Sequence, residues 1–155
     1  MVIETRVDER TVRAALADVP DPELPVASVV DIGIVHRVEV TNEAIRVELL
    51  PTFVGCPALD VIRSAVHDRL AVFDRPVEVA FTFAVPWSSD RISPAGLDRL
   101  RSAGIAPPVG PGGSPACPWC GSADVALDNL FGATQCRSLH FCRSCRQPFE
   151  GLKAI

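Results

Sequence analysis

The chain contains no run of 18 consecutive apolar residues, no internal repeat and no excess of positive charge. The first absence leaves no transmembrane helix to expect. The opening, MVIETRVDER, lacks the apolar core of a signal peptide, so a cytoplasmic protein with no membrane partner is expected. Fifteen Lys and Arg stand against 19 Asp and Glu, a net charge of −4, which gives no general attraction to nucleic acid or anionic lipid. Fourteen of the basic residues are arginine, and no function is read from that preference. There is also no Gly-x-Gly-x-x-Gly and no Glu-x-x-His pair. The nicotinamide, flavin and di-iron motifs are therefore missing.

What is present suits one domain and an accessory module. The 155 residues are 48% hydrophobic and 22% charged, ordinary values for a globular protein with a core. Five of six cysteines lie after residue 116. In a reducing compartment they are ligands or reactive groups rather than disulfides. Ahead of them runs SAGIAPPVGPGGSPA (102–116), in which eight of fifteen residues are Gly or Pro. That density forbids helix and central strand and reads as a linker. Residues 1–116 carry 11 basic and 16 acidic side chains and residues 117–155 carry 4 and 3, so charge also shifts across it. The expected layout is a domain over 1–101, a linker over 102–116 and a second module over 117–155.

The first domain reads as helix, hairpin, helix, strand, helix. Val12, Ala15, Leu16 and Val19 share a helical face ended by Pro20 and Pro22. Ile34, Val38 and Val40 alternate with Arg37 and Glu39, and Ile45, Val47 and Leu49 alternate with Arg46 and Glu48. Thr41-Asn42-Glu43 between them has hairpin-turn chemistry. Leu59, Ile62, Val66 and Leu70 recur at helical spacing, and VEVAFTF (77–83) alternates as a strand. Ser93-Pro94 supplies an N-cap and first-turn proline for a last helix through Leu97 and Leu100. Strand, helix, strand implies a crossover. The fold class expected is a small α/β (α+β) domain, helices packed on a small mixed sheet.

Within PTFVGCPALD (51–60), Cys56 sits between a glycine and a proline. Pro57 suits a first helical position, which would make Cys56 the N-cap and set its sulfur against unpaired N–H groups that favour thiolate. Gly55 allows a sharp turn. Such a sulfur suits a nucleophile or a soft ligand for iron or an iron–sulfur cluster; equally, it suits a half-buried packing residue. No histidine falls predictably near it as a base, which weakens a cysteine-dependent enzyme. Asp21 and Glu23 in DPELP lie between prolines in a segment expected to be extended, with both carboxylates on one side. The alternative is a helix terminator with solvated acids.

The tail holds CPWC (117–120) and CRSC (142–145), paired knuckles separated by 21 residues. Four thiolates at such spacing close a tetrahedral site, so Cys117, Cys120, Cys142 and Cys145 are expected to bind structural zinc, with rubredoxin-like iron as the other fit. Four protein ligands leave no open position for catalysis. Two knuckles around a strand-rich insert make a zinc ribbon, and 39 residues with few large apolar side chains need the metal to fold. Cys136 and His140 are surplus: Cys136 is expected to be buried, His140 at the surface or in packing, and His36 and His67 solvated. Arg137, Arg143, Arg146 and Lys153 against Asp124, Asp128 and Glu150 form no basic stripe, so protein is the expected partner of the ribbon rather than nucleic acid.

Two resemblances rest on quoted motifs. DPELPVASVVDIGIV (21–35) with PTFVGCPALDVI (51–62) resembles the SufT-like, metal-sulfur cluster biosynthetic family over roughly residues 8–101. That resemblance implies an α/β fold gathering Asp21, Glu23, Thr52 and Cys56 at one pocket, with Cys56 reactive and a transient iron or iron–sulfur cluster as its cargo. Pro51 stands where many of that family carry a further hydroxyl residue. PWSSDRIS (86–93), GIAPP (104–108), CPWCGS (117–122), FGATQC (131–136) and CRSCRQPFEGLKAI (142–155) resemble the D-component family of bacterial phenylacetyl-CoA epoxidase systems over nearly the whole chain. That implies an accessory or assembly factor, not itself catalytic, for an oxygenase with a di-iron subunit and a flavin and iron–sulfur reductase. Its partners would be those other subunits and the reductase. A stoichiometric regulatory or structural subunit is the alternative.

Overall fold

The computed structural model describes residues 6–53 and 55–154. The chain packs as two compact units that divide between Trp87 and Ser88.

In the first unit, α1 (Glu9–Leu16) starts where the Asp8 carboxylate accepts the Thr11 N–H at 2.8 Å. That bond holds the Asp8 carboxyl below its ordinary pKa. Val12, Ala15 and Leu16 are buried on one face, and Val19 beyond the helix is buried too. β1 (Val35–Val40) and β2 (Ile45–Leu49) form the expected antiparallel hairpin. Its turn is closed by the Thr41 hydroxyl, which accepts the N–H groups of Glu43 and Ala44. α2 (Leu59–Leu70) then carries the chain back to β3 (Val77–Phe81), which pairs parallel with β2 in the order β1-β2-β3. Val38 and Val47 point inward; on the opposite face Arg46 bonds Glu78 at 2.8 Å, across the β2–β3 pair.

Three expectations are corrected here. α2 opens at Leu59 with Ala58 as N-cap, so Cys56 is not the cap and Pro57 is not the first helical residue. A proline's fixed φ fits the second position of a turn as well as a helix start. DPELP is not extended but folds into a loop, because Asp21 N–H bonds the Ala27 carbonyl and Pro20 bridges Ser28. β3 stops at Phe81, where its partner β2 runs out at Leu49 ahead of Pro51, and Phe83 is exposed.

In the second unit, Ser93 caps α3 (Pro94–Ser102), its hydroxyl accepting the Gly96 N–H at 3.0 Å. β4 (Ile105–Ala106), β5 (Val125–Asn129), β6 (Arg137–Cys142) and β7 (Pro148–Leu152) form a sheet ordered β4-β7-β6-β5. β5, β6 and β7 pair antiparallel, and β4 lies parallel to β7. Ile105 and Ala106 fall inside the stretch read as linker, yet they make an edge strand of this sheet, and α3 belongs to the same unit. Gly104, at φ +78, joins α3 to β4; a Cβ there would overlap the Trp119 ring.

Candidate functional site

At the end of the first sheet where β2 and β3 finish and β1 begins, three loops meet the strand termini. SVVDIG (28–33) is one capped helical turn. Ser28 Oγ accepts the Asp31 N–H at 3.1 Å while the Asp31 carboxylate accepts the Ser28 N–H at 3.0 Å. Gly33, at φ +75, closes the turn, with Gly33 N–H bonding Val30 O and Ile34 N–H bonding Val29 O. This is the left-handed glycine stop of a helix end. Trp87 donates its indole N–H to Ile32 O at 2.9 Å, and Leu50 N–H bonds Ile34 O, fastening the turn to the end of β2. Sequence reading passed over this device, although Ser-x-x-Asp with a following glycine is its signature.

Asp21 is buried, and its Oδ1 accepts the N–H groups of Glu23 at 2.8 Å and Leu24 at 2.9 Å. Two backbone donors on one oxygen fix the carboxylate and shape the loop carrying half-buried Glu23. Cys56 sits at a corner between two turns: its N–H bonds Phe53 O at 3.2 Å, and its carbonyl accepts the Leu59 N–H at 3.3 Å. Gly55 takes φ +86, the conformation that requires glycine there. Thr52 and Cys56 are both half-buried. The chain order and the pairing of β1 with β2 carry the turn over 28–33 and the Thr52–Cys56 loop to the same sheet end, outside the carboxyl ends of parallel strands. Crevices in α/β folds form at such places.

In the second unit the four knuckle cysteines are brought together. Their sulfurs all lie within 4.8 Å of one another, with Cys117–Cys145 at 3.7 Å and Cys120–Cys142 at 3.6 Å. Tetrahedral metal–sulfur bonds of about 2.3 Å would set sulfurs about 3.8 Å apart, so the donor set fits such an ion. Among the described residues these are the only three or more His, Cys, Asp or Glu placed to share one ion; Asp21, Glu23 and Cys56 do not form such a group. The Cys142 thiol is drawn down to about 7, first by the Cys145 N–H, while burial pushes Cys145 up to about 12. A bound cation would deprotonate the coordinating thiols outright.

The two knuckles are built alike. The residue after each second cysteine is left-handed, Gly121 at φ +77 and Arg146 at φ +61. Gly121 N–H bonds Cys117 O at 2.8 Å, and Ser122 Oγ meets Ser144 Oγ at 2.8 Å. Cys117 and Cys142 pack with Ala106 and Phe149 as the ribbon's small core.

His140 is in packing, one of the two places expected for it. It is buried and stacked on Phe149 at 5.3 Å. Ser138 donates to Gly151 O at 3.3 Å, so its oxygen accepts the His140 Nε2–H at 2.8 Å, and burial lowers the imidazole pKa. Gly151 leaves room for that ring. Cys136 is half-buried, its sulfur 3.0 Å from Thr134 Oγ1 and outside the four-sulfur group. His67 is exposed and His36 half-buried.

Comparison with known proteins follows these two units. Residues 9–81 match the family described as iron-sulfur cluster assembly protein, and residues 108–153 match the PaaD zinc beta ribbon domain. A DUF59 domain of unknown function from Bacillus anthracis superposes with a TM-score of 0.56 at 30% identity, covering 59% of this chain and 90% of its own. A conserved hypothetical protein from Thermotoga maritima does so with 0.53 at 29%, covering 61% and 94%. A protein of Escherichia coli (strain K12) bears the provisional name of a 1,2-phenylacetyl-CoA epoxidase subunit, the D component. It is 35% identical over 149 residues, 92% of this chain and 90% of its own length. With both units matched in this order and the relation extending over nearly the full length, the chain belongs to the D-component family of phenylacetyl-CoA epoxidase.

Proposed function

We propose that the protein is an accessory factor that assists iron or iron–sulfur cluster maturation of a phenylacetyl-CoA 1,2-epoxidase, with Cys56 receiving or presenting the cargo. The observation that carries this reading is the union, in one chain, of a domain of the iron-sulfur cluster assembly type with a PaaD ribbon. Cys56 stands at a backbone corner beside the loop ends of β2 and β3, half-exposed and without a role as helix cap. The anchored DPELP loop and Thr52 would complete the pocket, Glu23 offering a carboxylate while Asp21 holds the loop. The ribbon binds structural zinc through Cys117, Cys120, Cys142 and Cys145, and docks the client protein or its reductase. No helix among the described residues is long and apolar enough to cross a membrane.

A second reading, a stoichiometric component of the oxygenase, is favoured by the name of the E. coli relative, which makes that protein part of the epoxidase. Purifying the active epoxidase separates the two. A maturation factor is absent from the working complex, whereas a true component is retained at stoichiometric level. Cells lacking the chain should make the oxygenase and reductase with depleted iron or cluster content and fail to use phenylacetate. Cys56→Ser should reproduce that loss while keeping the fold, because the corner is held by backbone bonds. Fully loaded, active enzyme from deletion cells would rule out maturation.

A further inference from the structure

The four knuckle cysteines are unequally exposed, and the inequality is organised. Cys120 is exposed and Cys145 half-buried, whereas Cys117 is 2% exposed and Cys142 fully buried. Two sulfur contacts across the knuckles each join a more exposed cysteine of one to a buried cysteine of the other, Cys120 with Cys142 at 3.6 Å and Cys145 with Cys117 at 3.7 Å. A Cβ added at Gly121, next to exposed Cys120, would meet nothing within 4 Å, so the space beside that residue is open.

Resting on the zinc reading above, we propose that the ribbon is a thiol-based modification site for hydroperoxides, with Cys120 the attacked sulfur and Cys142 the resolving one. Metal-bound thiolates are fully deprotonated, and oxidation selects the thiolate that solvent reaches. The Cys120 thiolate attacks hydrogen peroxide, the O–O bond breaks, Cys120 becomes a sulfenic acid and hydroxide leaves. The Cys142 thiolate then attacks the Cys120 sulfur, the S–O bond breaks, the S–S bond forms and a second hydroxide leaves. Two thiolates have lost two electrons, and one peroxide has become two hydroxides. Cys117 and Cys145 alone no longer close a four-ligand site, and zinc departs. Since Cys142 and Cys117 make up half of the four-residue ribbon core, the change removes the ribbon's order as well as its ion. A dithiol reductant with zinc reverses the step, itself becoming a disulfide.

The test is titration of the zinc-loaded full-length chain with hydrogen peroxide. A chelating dye reads released zinc, thiol counts read oxidation, and peptide mapping locates the first disulfide. The expected result is release of one zinc per two tail thiols lost, a first disulfide between Cys120 and Cys142, and recovery with dithiothreitol plus zinc. Cys136→Ser should leave the release curve unchanged. A first disulfide within either Cys-x-x-Cys, or one that uses Cys136 or Cys56, overturns the proposal. So does zinc that stays bound until Cys56 and Cys136 are fully oxidised. Metal analysis before titration distinguishes the two readings: a chain with no ion overturns both, and zinc that resists peroxide overturns only this one.

Discussion

The two units hold themselves together differently. Of the twelve largest fully buried side chains among the described residues, eleven belong to the first unit and only Leu100 to the second. The first unit rests on Leu16, Ile45, Leu49, Leu50, Leu70 and their neighbours, an apolar interior between helices and sheet. In the ribbon, the cluster around the knuckles is Ala106, Phe149 and two cysteines. A cluster so poor in apolar burial is where a bound ion would add most to stability, and the four gathered cysteines are placed to hold one. On the proposed zinc reading, the first unit tolerates exposed loops at its sheet end, whereas the ribbon should not tolerate loss of a sulfur.

The largest effect that would break this contrast is removal of the metal. Structural zinc contributes about 10–16 kcal/mol of apparent binding free energy in small ribbon-sized peptides, and in such modules that energy is folding energy. A strong chelator or Cys142→Ser should abolish amide-exchange protection in β5, β6 and β7 while β1, β2 and β3 stay protected. Hydrogen exchange followed strand by strand is the measurement. Retention of both ion and protection in Cys142→Ser would mean the ligand set is misassigned.

The converse is a cavity in the first unit. Leu16 is fully buried, and Leu16→Ala should cost about 2–5 kcal/mol. Denaturant melts should show the loss in the first unit alone, with zinc stoichiometry unchanged. A parallel fall in metal content would join the two units energetically and end the contrast.

The same division explains what could be read from sequence. α1, the hairpin, β3 and α3 were legible because each has a local period or cap: Val12 to Leu16, Val38 against Val47, Ser93 before Pro94. The gathering of the four tail cysteines was legible because knuckle spacing is itself local chemistry. β4 was hidden in a Pro- and Gly-rich stretch because two residues become a strand only through Glu150 and Gly151, far along the chain. The start of α2 was misplaced by two residues because Pro57 serves a turn as readily as a helix. Asp21 was recognised as special, but its part in fixing the 21–27 loop depends on donors from Glu23 and Leu24 that only the folded loop presents. The assembly of Asp21, Glu23, Thr52 and Cys56 into one pocket remains a proposal, whereas the assembly of the tail sulfurs is visible.

The smallest effect sharpens the comparison inside the ribbon itself. Both knuckles place a left-handed residue after their second cysteine, but one uses Gly121 and the other Arg146. A side-chain-bearing residue in that conformation costs about 1–2 kcal/mol, and glycine carries an entropic penalty of about 0.5–1 kcal/mol instead. Arg146→Gly should therefore stabilise the metal-bound ribbon slightly, by up to about 1 kcal/mol, and Gly121→Ala should destabilise it by a similar amount. Space does not confuse the second substitution, because a Cβ at Gly121 meets nothing within 4 Å. Competition with a chelator of known affinity measures both variants on one scale. If the two changes moved zinc affinity in the same direction, the knuckles would not be equivalent turns, and backbone conformation would not be what distinguishes Gly121 from Arg146.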